Sequence, residues 1–466
     1  MPAPPLLVSD LRSRLLDLVP DESRVSTGES IRELHSRDLT YHQPHAPDVV
    51  VLPETAQEVG AVLALASRER VPVVPFGVGT SLEGHVIPVH GGISLDLTRM
   101  NRIVDVNADD LDATVQTGVL RSELNARIGR DGLFFPVDPG ADATLGGMAA
   151  TNASGTTTVR YGNMRTQVLA LEVILADGTI LRTGGRARKS SAGYDLTQLF
   201  VGSEGTLGVI TELTLRLHGI PEYTVAARAS FPDIEAACRA STAIVGSGLL
   251  VTRVELMDGP TILAVNAHRG SDYPAEPTIL LEFSGSEPSV EADVAAAREI
   301  SIGEGCTAFV LERDPEARAR LWEARHHVAH ALLAGGKGRR LMSTDACVPL
   351  SELPGAIGVA RTFVDGLGIP AAILGHVGDG NYHVAFLIDV ECDDEVRTAK
   401  EINATIVEDA LARGGTCTGE HGIGLGKIDY LEREHGDLLP LMRGIKNLLD
   451  PAGILNPGKV LTSGHA

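Results

Sequence analysis

Nowhere in the sequence do two cysteines stand close enough to share a motif. The five, Cys238, Cys306, Cys347, Cys392 and Cys417, are odd in number and include no CxxC pair. That spacing excludes a disulfide framework and leaves no ligand set for an iron–sulfur cluster. Long apolar runs are missing too: no stretch approaches the roughly 20 apolar residues that span a bilayer. At the N-terminus Asp10, Arg12, Arg14 and Asp17 interrupt the apolar residues before a signal-peptide core can form. The expectation is a cytoplasmic protein, with attachment at the periphery of a membrane left open. Positive charge is also scarce. With 40 Lys and Arg against 61 Asp and Glu, the net charge is −21, and without clustered cations to neutralise phosphates a nucleic-acid partner is not expected.

What the chain has in excess is glycine, 51 residues of 466, gathered into loops whose backbone can approach a ligand closely. The length allows two or three domains. Residues 1–46 read as an N-terminal helical cap, with Leu11, Leu15, Leu16 and Val19 at helical spacing. From Pro47 the β-type runs 49–52 and 71–75 flank a helix-like segment carrying Val59, Val62, Leu63 and Ala66 on one face, a βαβ pattern. The second run enters a loop in which Gly77 and Gly79 precede Thr80 and Ser81. This reads equally as a tight turn or as a cradle of N–H groups and hydroxyls for a pyrophosphate.

Two further glycine-rich stretches follow. In 135–155, Pro136, Pro139, Gly140, Gly146, Gly147 and Gly155 argue against long regular elements, while Thr144, Thr151, Asn152 and Ser154 offer donors and acceptors to an extended polar ligand. Residues 169–175 and 179–183 read as a hairpin turning at Asp177-Gly178. The third stretch, 200–211, passes into a strand over 209–217. A boundary near 219–221 precedes an α+β pattern with a mostly antiparallel sheet over 222–395, and a last segment, 396–466, opens with a helix near 395–413.

Two motifs in the C-terminal half carry chemistry rather than packing. His376 and His383 stand at either end of Gly375-His-Val-Gly-Asp-Gly-Asn-Tyr-His383, and Thr418-Gly-Glu-His-Gly-Ile-Gly424 adds Glu420 and His421. Together they offer a divalent-metal site beside a base; the bland reading is hydrogen-bonded loop residues. His326 and His330, spaced i, i+4 after Arg325, lack the Glu of HExxH and read as a polar helix surface.

The segments PFGVGTSLEGH (75–85), PVDPGADATLGGMAATNASG (136–155) and GSEGTLGVIT (202–211) resemble the FAD-binding segments of the vanillyl-alcohol-oxidase or PCMH-type flavoproteins. HVGDGNYH (376–383), GEHGIG (419–424) and NPGK (456–459) resemble the D-2-hydroxyacid dehydrogenase branch: D-lactate dehydrogenase, the glycolate oxidase catalytic subunit and D-2-hydroxyglutarate dehydrogenase. The motifs stand in family order from about Pro47 to Leu461. The resemblance implies an α+β fold: a PCMH-type FAD-binding domain of two α+β subdomains over 47–221, an α+β cap over 222–395, and 396–466 returning to the flavin.

It further implies non-covalent FAD at Pro75, Gly77, Gly79, Thr80 and Ser81; at Pro139, Gly140, Thr144, Gly147, Thr151, Asn152, Ser154, Gly155 and Tyr161; at Glu204, Gly205, Gly208 and Ile210; and at Asn456. The metal falls to His376, His383 and Glu420, zinc first with manganese or cobalt as alternatives, and the general base to His421. Arg325 clamps the substrate carboxylate, with Arg340 and Lys337 as helpers, and Asn381 either orients the hydroxyl or makes the turn. Ser343 stands where the hydroxyglutarate enzyme carries a lysine for a second carboxylate. The expected substrate is thus a D-2-hydroxy monocarboxylate, D-lactate first, with glycolate or D-2-hydroxyglutarate as alternatives. The electron acceptor is expected to be a quinone, a soluble carrier or a partner subunit, and a homodimer is left open. Competing readings are a non-redox flavin transferase of the alkylglycerone-phosphate synthase type, and a zinc hydrolase or metal-binding protein without flavin.

Overall fold

The computed structural model describes residues 7–336 and 338–461. The chain divides into two compact units, one of Met1–Ala153, Asn163–Ile220 and Glu420–Ala466, the other of Ser154–Gly162 and Pro221–Gly419.

In the first unit the β-branched run at 49–51 forms a fully buried strand, and the order strand, helix, strand follows as the periodicity predicts. The four-stranded sheet comprises β1 (Val25–Ser26), β2 (Val49–Val51), β3 (Val73–Phe76) and β4 (Ile93–Asp96), in the order β1-β2-β4-β3. The helix Ala56–Glu69 starts at Thr55, whose hydroxyl accepts the Glu58 N–H at 3.1 Å, and buries Val59, Val62, Leu63 and Ala66. β2 and β3 do not pair with each other. Both run parallel to β4, which lies between them. β4 escapes the sequence pattern because Ile-Ser-Leu-Asp alternates polar with apolar, yet all four residues are buried. The C-terminal segment completes this sheet: Val73 donates to the Ile454 carbonyl and accepts from the Asn456 N–H, both at 2.8 Å.

A second, antiparallel sheet orders β5 (Ile103–Asn107), β6 (Asp112–Gln116), β8 (Val168–Ile174), β9 (Ile180–Gly184) and β10 (Val209–Arg216) as β5-β6-β10-β8-β9, while β7 (Leu133–Phe134) pairs with β11 (His218–Gly219). The β8–β9 hairpin turns at Asp177-Gly178, where the Asp177 carboxylate accepts the Thr179 N–H at 2.9 Å. Val115, Val173 and Leu213 pack with Leu124 and Ile128 in the core beneath. The stretch 135–155 is more regular than its glycine and proline content predicts. Leu145–Thr151 is a helix, because the Thr144 hydroxyl caps it by accepting the Gly147 N–H at 3.3 Å and Asn152, at φ 52°, ends it.

The second unit is built on one antiparallel sheet: β12 (Tyr223–Ser230), β13 (Val251–Met257), β14 (Thr278–Gly285), β15 (Ala308–Glu312), β16 (Arg340–Ser343), β18 (Ala371–Gly375) and β19 (Asn381–Ile388), ordered β15-β12-β14-β13-β18-β19-β16, with β17 (Ala346–Cys347) on β19. Register fixes what shares a face. Met257 opposes Leu374 and Leu374 opposes His383, so these three point the same way, with Glu255 two residues along β13. That face is covered by Ile262, Val265, Leu321, Trp322, Val328 and Leu332 from three helices. No helix among the described residues is long and apolar enough to cross a membrane.

Candidate active site

β18 ends at Gly375 and β19 begins at Asn381, so the glycine-rich motif is the turn of a hairpin. The His376 carbonyl accepts the Asp379 N–H at 3.0 Å and the Asn381 N–H at 3.3 Å, closing the turn. Gly380 has φ +81°, and a Cβ there would strike the Val348 carbonyl, so no other residue fits. The rings of His376 and His383 lie 5.8 Å apart and almost perpendicular. His376 Nδ1 is 2.7 Å from Glu255 Oε1, and His383 Nδ1 is 3.1 Å from the Thr344 carbonyl. Both oxygens only accept, so each imidazole donates from Nδ1. Carboxylate and carbonyl acceptors of this kind orient metal-binding histidines. His376 is nevertheless not in the group of described residues whose ligand atoms gather within 4.8 Å of one another around His383.

Asp345, fully buried, accepts from Asn381 Nδ2 at 2.8 Å and from the Thr418 hydroxyl at 2.7 Å. Its oxygens lie within 4.8 Å of a His383 nitrogen, a spacing at which both can contribute to a cation site. The Gly419 N–H donates to the Asp345 carbonyl at 3.1 Å. Glu420 and His421 follow Gly419 directly, and their ligand atoms also lie within 4.8 Å of each other. Asn381 spends its amide nitrogen on Asp345 and the Ala346 carbonyl, while its buried Oδ1 has no partner among the described residues.

Arg325 sits on the helix Pro315–His326, which Asp314 caps by accepting the Ala317 N–H at 2.8 Å. Leu321, Trp322 and Ala324 seat this helix on the sheet, and Arg325, 7% exposed, lies with Nη2 2.6 Å from Glu255 Oε2. Arg340 does not join it. It is exposed and opposes Ile388, whose side chain points to the face away from His383. Lys337 lies outside the described residues. The His326–His330 pair is not one helix face either: the helix breaks at His327, and a second begins at Val328. Glu255 and Asp345 are the residues that motif reading missed. Glu255 had a faint signal, a carboxylate at an inward-facing position of an apolar strand, where burial demands partners.

In the first unit the three glycine-rich loops touch one another. A Cβ on Gly77 would come within 2.6 Å of the Thr144 hydroxyl, and one on Gly205 within 2.9 Å of Pro75. Gly79, Thr80, Ser81, Pro139, Thr151 and Asn152 are half-buried, Gly140 and Gly147 exposed. The Ser81 and Ser203 hydroxyls are buried without partners among the described residues, which leaves them available to a polar ligand. Asn152, Glu204 and Asn456 all hold positive φ, between 41° and 55°, the local strain that gathers at ligand sites. Two of the expected cofactor residues also serve the fold through their side chains. The Glu204 carboxylate accepts the N–H groups of Ile423 and Gly424 at 2.7 and 2.8 Å and pairs with His85 at 3.2 Å, so it holds the 422–424 turn. Ile210 is a core residue of β10 beside Gly208. Asn456 Nδ2 donates to the carbonyls of Glu204 and His85, at 2.8 and 3.1 Å. Ser154, Gly155 and Tyr161 belong to the second unit, where Arg160 beside them donates to the carbonyls of Leu250 and Ser284.

Residues 47–184 match the model of an FAD binding domain, and 220–460 that of the C-terminal domain of FAD linked oxidases. The chain belongs to the FAD-linked oxidases. It is an FAD-linked oxidoreductase of the D-lactate-dehydrogenase-like kind. This oxidase is 47% identical to the probable mitochondrial D-lactate dehydrogenase of Danio rerio, over 98% of the chain and 91% of the relative. It is 40% identical to the mitochondrial D-lactate dehydrogenase [cytochrome] of Arabidopsis thaliana, over 98% and 80%. Among solved structures, p-cresol methylhydroxylase shares the fold of the oxidase at TM-score 0.80 with 17% identity, covering 97% of this chain and 96% of that one. The expectation of a cytoplasmic protein is overturned, since both relatives are mitochondrial. Lack of a signal core or an apolar span says nothing against that compartment, whose address is an amphipathic, arginine-rich segment.

Proposed function

We propose that this oxidase converts a D-2-hydroxy monocarboxylate, D-lactate first, to the 2-oxo acid, with a divalent metal on His376, His383 and Glu420 and His421 as general base. The observation that carries the metal reading is the pair of imidazoles whose Nδ1 atoms each face an acceptor, the arrangement that orients metal-binding histidines. Glu420 directly follows Gly419, whose N–H the Asp345 carbonyl accepts. When bound, FAD supplies the hydride acceptor and the metal lowers the pKa of the substrate hydroxyl. Arg325 binds the carboxylate through its fork, Asn381 Oδ1 orients the hydroxyl on binding, and the hydroxyl's single proton then passes to the His421 imidazole. Ser343 supports a monocarboxylate. It points to the same face as His383, brings no cation for a second carboxylate, and donates its hydroxyl to the Thr344 carbonyl at 2.9 Å.

Both relatives are named for D-lactate, and the Arabidopsis enzyme also for a cytochrome, which favours a cytochrome as electron acceptor here. An anaerobic, FAD-loaded preparation is expected to bleach with D-lactate and stay yellow with L-lactate. His421→Ala should keep FAD and fail to bleach, and His376→Ala should lose metal and turnover together. Preference for D-2-hydroxyglutarate by a large factor, or full turnover of a metal-free preparation, would overturn the reading.

A further inference from the structure

Glu255 joins two parts of the site that no motif connects. It is 1% exposed, lies 121 residues before His376 and 70 before Arg325, and touches both. Register puts it there: Leu256 opposes Gly375, so the next rung of the ladder brings Glu255 against His376. Oε1 lies 2.7 Å from His376 Nδ1, and Oε2 lies 2.6 Å from Arg325 Nη2. The second contact is one of charge rather than direction, for Oε2 receives no aligned hydrogen bond, and Arg325 Nε is buried with no acceptor among the described residues. The guanidinium is held at Nη2, while its Nε–H has no acceptor among the described residues to compete with a substrate carboxylate.

We propose that Glu255 is a positioning residue shared by the metal ligand and the carboxylate clamp, an inference that for its first arm rests on the metal reading above. One oxygen fixes the His376 tautomer that presents Nε2. The other anchors the Arg325 fork without occupying it. Metal affinity and carboxylate affinity therefore depend on the same side chain.

The test uses the FAD-loaded enzyme and Glu255→Gln, which keeps the shape and removes the charge. Metal affinity is read by competition with a chelator, and KM and kcat for D-lactate are read with metal restored to saturation. Metal should bind about 10–100-fold more weakly. At saturating metal, KM should still be raised about tenfold or more, with bound FAD unchanged. If both constants stay within about twofold of wild type, or only one of them moves, the shared anchor is overturned. A fall in melting temperature with both constants intact marks a purely structural role and overturns it equally. If E255Q does not accumulate as folded protein, E255D, which keeps the charge but withdraws it by one methylene, is read by the same two constants. A wild type that holds no metal defeats the metal reading and this proposal's first arm, whereas the KM result still decides the Arg325 arm.

Discussion

Glu204 was legible as a residue of a cofactor motif, yet its carboxylate serves the protein. Burial works to raise its pKa, but His85 and the N–H groups of Ile423 and Gly424 outweigh burial and hold it below the ordinary 4.5. For His85 burial works downward, and the Glu204 charge outweighs it, leaving the imidazole above its ordinary 6.5. A raised imidazole stabilises the fold fully below its unfolded pKa and fades as pH rises through the folded value. A lowered carboxyl stabilises fully above its unfolded pKa and fades as pH falls through the folded value. The pair thus contributes most between about pH 4.5 and 6.5. His85→Gln should open its largest gap in melting temperature from wild type in that window, narrowing as pH rises beyond it. A gap that widens toward alkaline pH would show that the pair is not ionised. Glu255 was only faintly legible, and Asp345 not at all, for the opposite reason. Their roles arise from pairing between distant segments, which spacing along the chain does not encode.

The elements were easiest to read where local chemistry decides them: the βαβ pattern, the Asp177-Gly178 hairpin, and the strands β12 and β14 of the second unit. Two short ones were lost. β4 is too short and too polar in pattern, and the Leu145–Thr151 helix depends on its Thr144 cap more than on the propensity of its glycines. The two glycine hairpins allow a comparison. Gly178 at φ +88° and Gly380 at φ +81° both sit at turns, and a Cβ on either meets a carbonyl, of Gly60 or of Val348. Each alanine variant should lose about 1–3 kcal/mol from backbone strain, or several degrees in melting temperature. Only Gly380→Ala should also deplete bound metal, because only that turn spaces His376 from His383. Equal metal content in the two variants would separate the turn from the site.

At the scale of the whole molecule, the charge of −21 acts on both half-reactions. It opposes an anionic 2-hydroxy acid and attracts a basic carrier. With a basic cytochrome, kcat/KM for the acceptor should fall about tenfold or more between low salt and physiological ionic strength. Bleaching by D-lactate should not slow over the same range. A flat salt dependence with the cytochrome would argue for a docking surface whose local charge differs from the total. The chain crosses between its two compact units four times, at Ala153, Gly162, Ile220 and Gly419. During synthesis, every residue of the second unit has been joined to the chain before Ile454 and Leu455, which lie beside Val73 in the first unit. Folding therefore finishes from the middle of the chain outward. The loops around Pro75, Thr144 and Gly205 lie in the unit that these last residues complete, so loading of FAD is expected to follow translation rather than accompany it.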